Sequence, residues 1–135
     1  ILKMRVFDKK IVVTASFLTA VTIAMGAFGA HGLKNMVDIA ALNTFETGIR
    51  YQMYHCLAML VLGLAPSIPE KIKKTVFWLF ILGILLFSGS IYLLALNEVL
   101  PFNTAKIGFI TPIGGLLFIF GWFWFAIKML TLKKQ

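Results

Sequence analysis

Five polar residues that could bind an anionic group or transfer a proton lie close together in an otherwise apolar chain: Glu46, Arg50, Tyr51, Tyr54 and His55. Glu46 and Arg50 are four residues apart with the acid first, which is the favourable order for an ion pair along one helix. A guanidinium held in this way stays charged and can bind a phosphate or a carboxylate. This segment is therefore the first candidate for a binding site.

The helix that carries these residues is expected to place them below a membrane surface. The apolar run over residues 56–65 is about half as long as a membrane crossing, which needs roughly 20 residues. The preceding residues must complete the crossing, so we expect the second span to begin near Glu46. Arg50 then lies about 6 Å below the outer surface, and His55 lies about 13 Å below it.

Helical periodicity places most of the polar residues on one side of this span. At 100° per residue, five polar residues of this helix fall within an arc of about 100°. Tyr51 and His55 widen this arc to about 180°, and Gln52 alone points the other way. Ionisable groups are costly in lipid, so we expect the polar arc to turn inward, toward partners or water. The alternative is an interfacial structural pair, with Arg50 extending outward to the headgroups. The members of the narrower arc are Asn43, Glu46, Thr47, Arg50 and Tyr54.

The two histidines admit several roles. His55 is interpreted as a hydrogen-bonded core residue, with a proton-responsive role as the alternative. Metal binding by His31 and His55 is disfavoured, because two histidines without carboxylate or thiolate partners make a poor site, and no cofactor is expected. An intramembrane enzyme would need His55 as a base and Ser88 or Tyr54 as a nucleophile, but the sequence offers no third group to orient them.

The composition excludes a soluble globular protein. Apolar residues make up 60% of the 135 residues and charged residues 13%, whereas soluble proteins average about 45–50% and about 25%. So many apolar side chains cannot be buried inside a domain of this size. We therefore expect residues 1–135 to form one all-α integral membrane domain, a four-helix bundle. The predicted spans are residues 11–30, 46–65, 75–96 and 109–128.

Capping signals refine the ends of these spans. Asp38 is a candidate helix cap, and a short interfacial helix over residues 39–42 is expected between spans one and two. At the start of span four, Thr111 is expected to cap the helix and Pro112 to occupy its first turn, with a kink as the alternative.

Basic residues predict the orientation of the spans. Most of the 13 Lys and Arg lie before span one, between spans two and three, or after span four. Basic residues favour the cytoplasmic side, so both termini are expected in the cytoplasm and the protein in the inner membrane. Trp78, Trp122 and Trp124 are expected to anchor to headgroups on that side. The basic residues do not form the continuous patch that nucleic acid requires, so nucleic-acid binding is not expected.

Small residues recur at spacings that suit close packing of helices. Glycines let helix backbones approach closely where lipid surrounds them, so we interpret the glycines of spans one, three and four as packing positions. These positions are Gly26, Gly29, Gly83, Gly114, Gly115 and Gly121.

Several blocks of this sequence together resemble a known family. They are residues 26–33 (GAFGAHGL), 50–55 (RYQMYH), 87–94 (FSGSIYLL) and 110–115 (ITPIGG). These blocks are similar to those of the small bacterial membrane proteins of the YwdK and YgdD type, and the resemblance extends over all four spans. It implies a four-helix integral membrane protein and brings no established activity or catalytic residue.

Two functions compete on these observations. The first is a non-enzymatic binding or accessory protein whose outer polar cluster holds a membrane lipid headgroup or a partner helix, in a larger membrane complex or a homo-oligomer. The alternative is an oligomeric small-solute or proton-linked transporter or channel, in which Arg50 and His55 would gate or select. The outer polar cluster comprises Glu46, Arg50, Tyr51, Tyr54, His55, Ser88, Ser90 and His31.

Overall fold

The computed structural model describes residues 3–134, and the regular secondary structure within them is entirely helical. A π-helical turn (Ile84–Ser88) joins α3 to α4, so that these two helices form one continuous rod. Short 3-10 turns occupy Leu33–Asn35 and Ala105–Ile107. The expectation of an all-α fold is confirmed. The α-helices are α1 (Val6–His31), α2 (Ile39–Leu64), α3 (Glu70–Gly83), α4 (Gly89–Ala95) and α5 (Ile110–Thr131).

The connection between α1 and α2 is short and ends at a capped helix. Asp38 caps α2 as predicted, because its carboxylate accepts a hydrogen bond from the Ala41 N–H at 2.7 Å. The prediction of a separate interfacial helix over residues 39–42 is wrong, since these residues form the first turn of α2. With 26 residues, α2 is about 39 Å long at 1.5 Å per residue.

Helix α5 begins with the predicted proline but without the predicted cap. Pro112 lies in the first turn, where its missing N–H leaves no helical hydrogen bond unmade. Thr111 does not cap the helix, because its hydroxyl instead forms a hydrogen bond with the Ser90 hydroxyl on α4. This bond ties the start of α5 to α4.

The long helical segments run antiparallel to their neighbours. Helices α1 and α2 are paired along most of their length, α4 packs on α2, and α5 lies mainly along the rod formed by α3, the π-turn and α4. The pairs along α1 and α2 are Gly29 with Phe45, Thr22 with Gln52, and Gly63 with Ile11. The pairs along α3 and α5 are Gly83 with Phe118 and Phe80 with Gly121.

Three helical segments are long and apolar enough to cross a membrane: Val6–Asn35, Glu70–Ala95 and Ala105–Thr131. They correspond to the first, third and fourth predicted spans. Helix α2 is long enough to cross a membrane, but its N-terminal half is polar. By composition it is therefore not among the three candidate spans.

Buried apolar side chains form two clusters at different heights. The larger joins α1, α2 and α3 and includes Ile11, Met59 and Phe80. The smaller, which contains Leu33 and Phe45, lies at the end where α2 begins. Along α2, the buried polar residues described below lie between these two clusters.

The glycines predicted as packing positions lie at contacts of different closeness. A Cβ added at Gly29, Gly83 or Gly121 would come within 3.0 Å of an aromatic carbon on the neighbouring helix. At Gly26 the nearest atom would be 3.6 Å away, which is an ordinary van der Waals contact. The first three glycines therefore admit the aromatic rings that pack against them.

The closest approach between backbones occurs where α5 crosses the π-turn. A Cβ at Gly114 would lie 2.7 Å from the Cα of Phe87, and the backbone nitrogen of Phe87 would be nearer still. A side chain at this position requires the two helices to move apart. At Gly115, one residue along, an added Cβ would lie 3.6 Å from the Phe87 ring.

Gly114→Ala is expected to lower the free energy of unfolding by about 1–3 kcal/mol, the usual cost of forcing a methyl group into a packed contact. Gly115→Ala is the matched control and should be neutral or stabilise slightly, because alanine is a better helix former than glycine. Equilibrium unfolding by sodium dodecyl sulfate in mixed micelles measures both. Equal stability of the two variants would contradict the close backbone contact.

Candidate functional site

The charged residues of α2 lie on its outward face. Glu46 and Arg50 are exposed, and Tyr54 is 57% exposed. The expectation that these three residues turn inward is therefore wrong. Within residues 3–134, Arg50 forms no ion pair with Glu46, and its Nη2 donates to the Thr47 hydroxyl at 3.1 Å.

Gln52 on the opposite face of α2 explains this orientation. Its side chain is 4% exposed, and its Nε2 donates to the Thr22 hydroxyl of α1 at 2.7 Å. Its Oε1 accepts a hydrogen bond from the Tyr92 hydroxyl of α4, also at 2.7 Å. An amide without partners is costly in apolar surroundings, so the face that carries Gln52 points toward the helices that provide those partners.

Sequence reasoning missed this network because it treated Gln52 as the exception to the polar arc. The available signal was a single amide on a face that is otherwise apolar. Such an amide has both donors and an acceptor to satisfy, whereas Arg50 and Glu46 can extend from an outward face. The identities of the partners, Thr22 and Tyr92, depend on how three helices pack and could not be inferred from α2 alone.

His55 is buried in an aromatic setting and is 4% exposed. Its ring stacks on Phe118 with 3.6 Å between centroids, and it meets the Phe80 ring edge-on at 4.8 Å. Its Nδ1 is 2.7 Å from the Tyr51 carbonyl oxygen, and Trp122 Nε1 donates to its Nε2 at 3.1 Å. The indole N–H of Trp122 is thus engaged by a buried residue, while the side chain remains 45% exposed.

These partners fix the tautomer of His55. A carbonyl oxygen only accepts, so Nδ1 must carry the proton; an indole N–H only donates, so Nε2 must be the acceptor. Both ring nitrogens are then engaged in the neutral form. This arrangement agrees with the interpretation of His55 as a hydrogen-bonded core residue.

A lateral groove with a volume of about 340 Å³ opens beside His55 between α2 and α5. The π-turn contributes Phe87 to its lining, and α5 contributes Gly115, Phe118 and Trp122. Tyr51 also lines this groove, and its ring is 5.0 Å from that of Phe87. Tyr51 and His55 are therefore close in space, but both face the groove rather than Arg50.

The remaining members of the outer polar cluster lie apart from Arg50. Ser88 is buried, and its hydroxyl donates to the Gly48 carbonyl at 2.8 Å. The Ser90 hydroxyl donates to the Phe87 carbonyl at 3.0 Å, in addition to its bond with Thr111 described above. His31 is exposed at the end of α1. The predicted cluster thus divides into an outward charged face, the lateral groove and buried hydroxyls that join helices.

Similar proteins are found in several bacteria. A UPF0382 membrane protein of Staphylococcus haemolyticus is 37% identical over 120 residues, covering 89% of this chain and 94% of that protein. The Escherichia coli UPF0382 inner membrane protein YgdD is 36% identical, covering 84% of this chain and 83% of its own length. The Bacillus subtilis protein YwdK is 34% identical, with 84% and 90% covered.

A family model described as a protein of unknown function, DUF423, matches residues 25–115. The chain belongs to this family. The matched region contains Gln52 and its partner Tyr92, the charged face of α2 and the π-turn, whereas Thr22 lies just before it. The resemblance to the YwdK and YgdD type is thereby confirmed. No solved structure matches the chain.

Tyr92→Phe is expected to destabilise the protein by about 0.6 kcal/mol and by no more than about 1.7 kcal/mol, the average and the maximum measured for hydrogen bonds between helices in a membrane protein. It removes the hydroxyl that donates to Gln52 and retains the ring. Tyr54→Phe is the control, because it removes the same hydroxyl group from an exposed tyrosine, and it should change stability by much less. Unfolding in mixed micelles measures both, and equal losses would argue against a bond between Tyr92 and Gln52.

Proposed function

We propose that this protein is a non-enzymatic accessory protein of the cytoplasmic membrane, and that the outward face of α2 holds a helix of a partner protein. The observation that carries the proposal is the position of Arg50. Its side chain is exposed, and among the described residues it lies within ion-pair distance of no carboxylate.

The proposal includes four membrane crossings with both termini in the cytoplasm. Arg5 near the start of α1 donates to the Ile68 carbonyl between α2 and α3 at 2.8 Å, so these two segments lie at the same end of the molecule. Helix α5 runs antiparallel to α3, which brings its basic C-terminal residues toward that end as well. A concentration of basic residues at one end supports a cytoplasmic location for it.

The depth of Arg50 in such an arrangement argues for a partner. Its neighbour Ile49 packs 3.6 Å from the position of a Cβ on Gly26, which lies within the uncharged residues 11–30 of α1. Arg50 is therefore about 6 Å below the outer end of that apolar segment. A guanidinium facing lipid at this depth must reach the headgroups or meet an anionic group on another molecule.

The pattern of exposed residues favours a helix over a lipid headgroup. Residues of the outward face recur at alternating spacings of four and three, which is the pattern of a helix that packs along another helix. Leu57 and Val61 extend this stripe far below Arg50 and are 45% and 69% exposed. A headgroup would contact only the upper part, whereas a helix would cover it all. The stripe consists of Asn43, Thr47, Arg50, Tyr54, Leu57 and Val61.

Two of the three groups that an intramembrane enzyme would need are engaged in other contacts. His55 is held by Tyr51 and Trp122, and the hydroxyl of Ser88 donates to a backbone carbonyl. Tyr54 lies on the outward face. These contacts support a binding role rather than nucleophilic catalysis.

A photo-crosslinking amino acid at position 54 tests the proposal in native membranes. We expect it to form an adduct with a protein, because the stripe packs against a partner helix. The adduct should be lost when Arg50→Leu is added and retained with Arg50→Lys, which preserves the charge. Mass spectrometry identifies the adduct as another protein, a second copy of this chain or a lipid.

The same amino acid at position 17 is the control, because Phe17 is 72% exposed on α1 and lies outside the stripe. It should give lipid adducts only. Lipid adducts alone at position 54 would contradict the partner helix and would leave headgroup binding as the better account.

A further inference from the structure

The end of the molecule opposite Arg50 carries a buried cluster of charges that the proposed function does not use. Asp8 Oδ2 lies 2.7 Å from Arg5 Nε, and Asp8 Oδ1 lies 3.0 Å from Lys73 Nζ. The Lys73 side chain is fully buried and that of Asp8 is 6% exposed. Two cations thus share one carboxylate, so the cluster keeps an excess positive charge.

Arg5 is held in a defined position within this cluster. Asp8 fixes its Nε, and the Ile68 carbonyl accepts from its Nη2 at 2.8 Å. A guanidinium has five N–H donors, so these two bonds leave others available. The side chain remains 38% exposed. Arg5 is therefore positioned in advance to bind an additional acceptor.

A cavity of about 440 Å³ lies beside Arg5, between the start of α1 and the end of α2. Its lining has two chemical parts. Lys3 and Arg5 provide positive charge next to Asp8, whereas Met4, Leu64 and Pro66 provide an apolar wall. A ligand that matches this lining has an anionic group attached to an apolar chain.

We propose that this cavity binds the headgroup of an anionic phospholipid from the leaflet on the basic side of the protein. Phosphate oxygens accept strong hydrogen bonds from a guanidinium and from an ammonium group, and Arg5 and Lys3 supply both. The phosphate neutralises the excess charge of the cluster. The apolar wall receives the beginning of an acyl chain, which free phosphate lacks. Basic pockets at the membrane surface bind anionic lipids on the same principle.

The test uses the full-length protein in nanodiscs of phosphatidylcholine with increasing phosphatidylglycerol, and native mass spectrometry counts the lipid retained on the protein. Lys3→Gln should weaken retention of phosphatidylglycerol about tenfold, the size expected for one charge-assisted hydrogen bond. Lys9→Gln is the matched control: it removes the same charge from an exposed position on α1 that does not line the cavity. Its affinity should be close to that of the unchanged protein.

Two further measurements complete the test. One distinguishes a lipid phosphate from free phosphate, and the other shows whether the substitution disturbs the fold. Inorganic phosphate at millimolar concentration should leave the retained phosphatidylglycerol unchanged, and thermal unfolding should show that Lys3→Gln folds normally. Equal weakening by Lys3→Gln and Lys9→Gln would overturn the proposal in favour of general surface attraction. Displacement by inorganic phosphate would overturn the assignment to a lipid. Neither result affects the proposed partner helix at Arg50, because Arg50 lies at the opposite end of the molecule.

Discussion

Gln52 is bound to α1 through Thr22 and to α4 through Tyr92, so one buried amide links three helices. Hydrocarbon offers no hydrogen bonds, and an unpaired amide there would cost several kcal/mol. This requirement sets the rotation of α2 about its own axis. Residues two positions before and after Gln52, Arg50 and Tyr54, lie about 160° away from it and must therefore face outward.

The rest of the interior follows the same rule. His55 lies about 60° from Gln52 on the helix and therefore points toward the rod and α5, where Trp122 provides its donor. The Ser88 hydroxyl at the end of the π-turn satisfies a second acceptor on α2, the Gly48 carbonyl. Across residues 3–134, each buried side-chain nitrogen and oxygen has a hydrogen-bond partner. Polar groups inside the protein are thus matched to one another, and the charged groups in the N-terminal half of α2 are left on the protein surface.

The sequence was sufficient to predict where the helices lie but not which face of α2 turns toward the other helices. Uncharged apolar runs predicted α1, the α3–α4 rod and α5, because apolar length is a local property. Asp38 was predicted as a helix cap, but for a separate interfacial helix, and the second span was expected to begin near Glu46 rather than at Ile39. The inward face of α2 was predicted incorrectly because both of its faces carry polar groups, and only tertiary packing determines which of them finds partners. The π-turn was missed for a related reason: it accommodates the contact between Gly114 and Phe87, residues from different helices.

The central claim, which belongs to the proposed four crossings, is that the polar N-terminal half of α2 lies at membrane depth, with Gln52 turned into the protein and Tyr54 on the outward face, where lipid surrounds it when no partner is present. A nitroxide at position 54, in a Cys56→Ala background reconstituted in liposomes, tests it directly by electron paramagnetic resonance. We predict frequent collisions of the label with oxygen, which dissolves in lipid, and few with a water-soluble nickel chelate. Frequent collisions with the nickel chelate would place this half of α2 in water and contradict the claim.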